Sequence, residues 1–271
     1  LGLPDGLLGV AWPGIREKFN ISIDSLGIIL IFGTCGYMIS SFFSGLIMSY
    51  LRVGIILSLS CSLTSLSLLV FSQTPSWLVF IFFSFINGLS AGTIDSAVNT
   101  YVAKYHSYRM MQWLHASFGI GITSGPIIMT LAISITSKWQ IGYIIVSATI
   151  GILTIFFFST KDIWKNISLT ESNEDIGQKK PSLIDTMGET PVKLSMLMFF
   201  LYTGVELGIG HWIYSLLIES RKISSEIAGI MASCYWATFT FGRIVAGLAS
   251  EFFNTKKLIF ICSFLALLGI S

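Results

Sequence analysis

The chain has 271 residues, 53% of them hydrophobic and only 11% charged, whereas a soluble globular domain carries about 25% charged residues; a water-soluble fold is excluded. Its 16 basic and 14 acidic residues leave a net charge of +2, too balanced for a nucleic-acid partner or a polybasic lipid anchor. The cysteines Cys35, Cys61, Cys234 and Cys262 lie in apolar runs without metal-ligand spacing and read as small packing residues.

A bilayer core of about 30 Å takes roughly 20 apolar residues per helical span, and such windows recur along the chain. In order they are Leu1 to about Ile15, Ile23 to Met48, Val53 to Phe71, Trp77 to Ala103, Met110 to Ser134, Ile141 to Phe158, Leu194 to Leu217, Ser225 to Ser250, and Leu258 onward. An all-α polytopic membrane protein follows. No charged, cleavable leader precedes Leu1, and the chain opens inside one apolar helix and stops inside another. It is expected to be a piece of a longer chain.

Basic residues alternate in density between successive breaks. Arg52, Lys104, Arg109, Lys161, Lys165, Lys179, Lys180, Lys193, Lys256 and Lys257 flank one side, against Arg16, Lys18, Lys138, Arg221 and Lys222 on the other. The richer side is expected to be cytoplasmic, so the first span runs outward. Arg243 lies within a span and takes no part in this count.

One long polar segment, with Pro181 and Pro191 bounding its last part, has the composition of a solvated linker. It divides the chain into an N-terminal half (1–159), a cytoplasmic linker (160–193) and the start of a second half (194–271). The second half resembles the first at a shift of 202 positions, without a gap from Asp5 to Gly45: Gly6 meets Gly208, Glu17 meets Glu219, Gly27 meets Gly229 and Gly45 meets Gly247. Internal repeats mark transporter architectures, and an even number of spans between the copies makes this repeat a parallel one.

Three acids lie within apolar spans: Asp5, Asp95 and Glu206. A carboxylate at mid-bilayer costs about 2.5–3.5 kcal/mol on insertion scales, which makes each a functional candidate by default. Asn87, Asp95 and Asn99 are spaced in multiples of four along the fourth span, and so form a stripe that must face protein or water. Desolvation favours the neutral form of a carboxylate, which is what a proton-coupled carrier needs. The alternative is a carboxylate pinned by a neighbouring helix as packing glue. Glu206 sits among Gly204, Gly208 and Gly210, which thin the seventh span for bending or close approach.

His115 and His211 are candidates for hydrogen bonding or proton relay, because imidazole titrates near neutrality. Trp12, Trp113, Trp212 and Trp236 offer flat faces to a sugar-like solute, with Gln112 and Asn99 supplying hydrogen bonds; aromatic belts at the interfaces are the alternative for Trp12 and Trp212. Gly121-x-x-x-Gly125-Pro126 permits close helix approach and a bend. The letters Gly88-Leu89-Ser90-Ala91-Gly92 match a hydrolase nucleophile elbow, which needs a strand-to-helix turn and not a mid-span helix. With no phosphate loop or zinc motif, neither enzyme chemistry nor a cofactor is expected.

These residues resemble the major facilitator superfamily and, within it, the fucose/galactose/glucose-proton symporter group. The likeness is carried by Leu3-Pro4-Asp5-Gly6 through Trp12-Pro13, by Gly92-Thr93-Ile94-Asp95 through Asn99-Thr100-Tyr101, by Trp113-Leu114-His115, and by Gly204-Val205-Glu206-Leu207-Gly208-Ile209-Gly210. It implies two parallel six-helix halves, here the first half plus helices 7, 8 and part of 9. It also implies a plasma-membrane carrier of a small solute, a sugar, by alternating access coupled to protons or sodium, with Asp95 and Asp5 in coupling or recognition. The superfamily's basic loop after the second helix is reduced here to Ser49-Tyr50-Leu51-Arg52-Val53-Gly54. The glycine-proline motif of the fifth span resembles that of drug antiporters and keeps proton-linked efflux as the rival, with a non-transporting receptor or scaffold as a third reading.

Overall fold

Backbone groups in hydrocarbon must be satisfied within their own segment, and the chain answers with helices alone. The computed structural model describes residues 1–164, 187–249 and 255–270, and contains no strand among them. The helices are α1, in two pieces (Gly2–Asp5 and Leu7–Phe19), α2 (Leu26–Tyr50), α3 (Val53–Gln73), α4 (Trp77–Tyr105), α5 (Tyr108–Thr136), α6 (Trp139–Ser159), α7 (Thr190–Ser215), α8 (Ser225–Ala249) and α9 (Thr255–Ile270). Most of the expected linker lies outside the described residues. α7 starts at Thr190, earlier than its apolar run, because Pro191 fits the first turn of a helix.

Among the described residues, six helices are long and apolar enough to cross a bilayer: α2 with its preceding turn, α3, α4, α5, α6, and α7 with the π-turn Leu216–Ser220 that follows it. The other expected spans have physical reasons to fall short. α1 is interrupted at Gly6, α8 carries Glu226 and Arg243, and α9 has 16 residues. Phe82, Ile152 and Ile155 are 58%, 68% and 68% exposed, as side chains facing lipid must be.

Turn chemistry ends the helices locally. Asn20 adopts the left-handed conformation (φ 50°, ψ 52°) after α1, which asparagine tolerates better than other side chains bearing a Cβ. Serine and threonine hydroxyls inside the spans bond back to carbonyls one turn earlier, as Ser84 does to Phe80 and Thr93 to Leu89. Between helices, Ser65 and Ser147 exchange hydroxyl-to-carbonyl bonds of 2.9 and 2.7 Å, tying α3 to α6.

Within the first half α2 packs on α4, α3 on α4 and α6, and α1 on α5. One apolar cluster, including Trp12, Phe71, Phe80, Trp139 and Tyr143, closes the end read as exterior; its Phe71 and Phe80 rings stack at 4.2 Å. A second, with Met48, Val53, Ile56, Leu57, Ala97 and Tyr101, lies toward the opposite end. Asp95 lies on α4 beside this second cluster, between its Ile94 and Ala97. The second half meets the first along α1 with α7 and α5 with α8.

Candidate functional site

The site begins with glycines. A Cβ on Gly88 of α4 would strike the Gly33 backbone of α2, one on Gly36 would strike the Phe85 carbonyl, and one on Gly92 the Tyr37 carbonyl. Such contact between backbones is possible only without side chains. It brings Tyr37 within reach of Asp95, one turn beyond Gly92.

The Tyr37 hydroxyl donates to Asp95 Oδ2 at 2.6 Å, and Asn99 Nδ2 donates to Asp95 Oδ1 at 3.0 Å and to the Asp95 carbonyl at 2.9 Å. Each carboxylate oxygen thus has its own donor, which holds the group in one orientation. Ser41 of α2 donates to the Gly92 carbonyl at 3.5 Å. Asn87, the upper member of the expected stripe, has a buried Oδ1 without a partner among the described residues.

Asp5 is half-buried at the end of the first piece of α1. Its turn is seated by the Gly121-x-x-x-Gly125-Pro126 motif: Gly121 faces Gly2 and Leu3, and Gly125 and Pro126 face Gly6. The charges of Asp5 and Asp95 act on each other, and both act on the Tyr37 hydroxyl. Like charges close together at low dielectric repel.

A second charged cluster joins α7 and α8. Glu206 Oε1 lies 3.6 Å from Arg243 Nη2, and Tyr202, one turn earlier on α7, interacts electrostatically with both side chains. The Tyr235 hydroxyl donates to the Glu206 carbonyl at 3.0 Å, and the Arg243 guanidinium lies over the Phe239 ring at 4.1 Å. Sequence reading singled out Glu206 and set Arg243 aside. The signal was present, since an intramembrane arginine is as costly as an acid.

The remaining candidates lie elsewhere. His211 is buried where α1 and α7 touch. Trp212 packs against the exterior apolar cluster and lines a cleft with Ser215, Leu216 and Glu219. Trp113 and His115 are exposed on α5, and the side chain of Gln112 lies outside the described residues. Trp12 and Trp236, expected among the faces open to a solute, are fully buried. The Trp12 indole donates to the Ile23 carbonyl at 3.2 Å, and Trp236 fills the space beside Gly210.

At the end read as exterior the halves are joined. A Cβ on Gly9 of α1 would lie 3.1 Å from the His211 carbonyl and 3.2 Å from that of Gly210. Beyond it, Arg16 Nη2 meets Glu219 Oε2 at 3.0 Å, with side chains 34% and 26% exposed. A pair this open to solvent contributes about 1 kcal/mol or less. Arg16→Ala is expected to lower stability by no more than that in thermal unfolding in detergent; a larger loss would mean that the pair fastens the halves.

With this geometry established, comparison with known proteins places the chain. The sequence family described as Major Facilitator Superfamily matches residues 1–271. The chain is 26% identical over 270 residues to the Glucose/mannose transporter GlcP of Bacillus subtilis (strain 168), covering 97% of the chain and 67% of that protein. It is 21% identical over 285 residues to Sodium-dependent glucose transporter 1 of Homo sapiens, covering 91% of the chain and 54% of that protein. Against the Hexuronate transporter of Bacillus subtilis (strain 168) it is 22% identical over 261 residues, covering 92% and 61%. The chain therefore spans between about half and two thirds of the length of these relatives. All of it matches one family, arranged as six helices, a polar break and the start of a second set, and the chain belongs to the Major Facilitator Superfamily.

Proposed function

We propose that this chain forms part of a secondary active transporter that carries a sugar across the plasma membrane by alternating access, coupled to protons. The observation that carries the reading is the Asp95 carboxylate, held between Tyr37 and Asn99 within electrostatic reach of Asp5. An intramembrane acid is costly and persists where it moves ions or solutes. Two nearby acids give cation uptake a driving force, since one arriving charge lowers their repulsion. The sugar is supported by the relatives, which include a glucose/mannose transporter and sodium-dependent glucose transporters. Those names also favour a second reading in which sodium is the coupling ion, because carboxylate and amide oxygens suit a hard cation.

The test places the full natural chain in liposomes containing a pH dye and adds hexoses without an imposed gradient. Sugar-dependent acidification of the lumen is the expected result. Uptake that needs external sodium and leaves the dye unchanged would transfer the coupling role to sodium. Sugar-independent exchange of protons for amphipathic compounds would replace uptake with efflux.

A further inference from the structure

Four charged residues lie in the apolar interiors of the described helices, and they are divided unequally. The first six helices hold two acids, Asp5 and Asp95, while the described helices of the second set hold an acid and a base, Glu206 and Arg243. At the 202-position shift Phe239 matches Tyr37 and Arg243 matches Ser41. The residues that face the acids stand at different places on the matched helices: Tyr37 of α2, matched by Phe239, donates to Asp95, whereas Arg243 of α8, matched by Ser41, meets Glu206.

Asp5 and Glu206 have comparable places along α1 and α7. Gly9 of α1 touches the backbone of Gly210 and His211 of α7. Asp5 stands four residues before Gly9, and Glu206 four residues before Gly210. Four residues are one helical turn, about 6 Å, and leave the side chain on the same face. Both acids therefore sit about one turn to the same side of the α1–α7 crossing, the side read as cytoplasmic, and Glu206, on the face of α7 where Gly210 meets Trp236, turns toward α8.

We infer that Glu206, Arg243 and Tyr202 form a binding site for the vicinal hydroxyls of an uncharged polyhydroxylated solute. The inference rests on reading the chain as a sugar carrier and deepens it. Arg243 supplies the charge opposite to that of Glu206 within this cluster, whereas Asp5 and Asp95 are both acids. The 3.6 Å separation exceeds the roughly 2.7–2.9 Å of a closed charge-assisted hydrogen bond, so donor and acceptor stand side by side without saturating each other. A hydroxyl both donates and accepts, and two adjacent hydroxyls match an acceptor carboxylate beside a donor guanidinium. Tyr202 and Tyr235 border the pair, and Phe239 holds the guanidinium plane. An analogue lacking one hydroxyl leaves a charged group unpaired, which is how a polar site rejects it.

The test measures hexose counterflow, which needs no ion gradient, for the full natural chain and variants in liposomes. Glu206→Gln and Arg243→Gln are each expected to raise the KM for hexoses at least about tenfold, the factor that about 1.4 kcal/mol represents, and to leave the pH profile of uptake in place. The conservative Glu206→Asp and Arg243→Lys keep the charges but displace the hydrogen-bonding atoms, and should raise KM as well. The double exchange Glu206→Arg with Arg243→Glu should restore membrane abundance without restoring KM. An unchanged KM, or full recovery of KM in the double exchange, would reduce the pair to a helix fastening and overturn the site. So would a displaced pH profile, which would assign the pair to coupling, or a KM change confined to a hexuronate, which would make Arg243 a carboxylate site. Absence of hexose counterflow in the unaltered protein would remove the sugar reading itself, and the site with it.

Discussion

Asp95→Asn is expected to abolish sugar accumulation driven by a proton gradient, bringing internal sugar down to the external level, while counterflow exchange continues. Asparagine has nearly the shape of aspartate and can still accept from Tyr37 or Asn99, so the α2–α4 contact is retained. What it lacks is a charge that a proton can cancel, and without one the repulsion with Asp5 on which the proposed coupling rests is gone. The measurement pairs uptake under an imposed pH gradient with counterflow at equal pH, both normalised to protein in the membrane. Accumulation retained in Asp95→Asn would take the residue out of coupling. Loss of counterflow along with accumulation would instead make it part of the solute's binding surface.

The second large effect is structural. Gly88→Ala places a methyl group against the backbone of Gly33, and a backbone cannot swing aside as the tip of a long side chain can. Overpacking of this kind costs about 1–3 kcal/mol, and here the only relief is to separate α2 from α4. That separation pulls the Tyr37 hydroxyl from Asp95, so stability and gradient-driven transport should fall together. Gly151→Ala in α6 is the matched control, because its added carbon would lie 3.5 Å from Ser65 Oγ, an ordinary contact. That variant should be neutral or stabilising by about 0.5–1 kcal/mol. Thermal unfolding of both in detergent, with gradient-driven uptake, separates the outcomes; equal behaviour of the two would deny that the α2–α4 crossing shapes the site.

The residues differ in how far they could be read before the fold was known. The six long spans were legible because each is a local solution: a run of apolar residues in lipid has to satisfy its own backbone, and no partner is needed to decide it. Asp5, Asp95 and Glu206 were legible for a related reason, since the cost of a charge in hydrocarbon does not depend on which helix stands opposite. Asn99 was legible as well, its spacing from Asp95 being one helical turn within the same helix.

Partners from other helices were not legible. Tyr37 stands 58 positions from Asp95 and reads in isolation as one more aromatic residue in an apolar helix. Arg243 joins Glu206 only because α8 lies beside α7. The tryptophans show the same limit, since composition does not say whether a ring faces a solute, lipid or a neighbouring helix; Trp12 and Trp236 became packing residues and Trp113 an exposed one. By itself the sequence determined that this is a helical membrane protein with three acids where acids are costly. The tertiary structure decided which donors those acids meet, because that depends on which helix faces touch, and the touching was set by glycines whose effect appears only when two backbones are brought together.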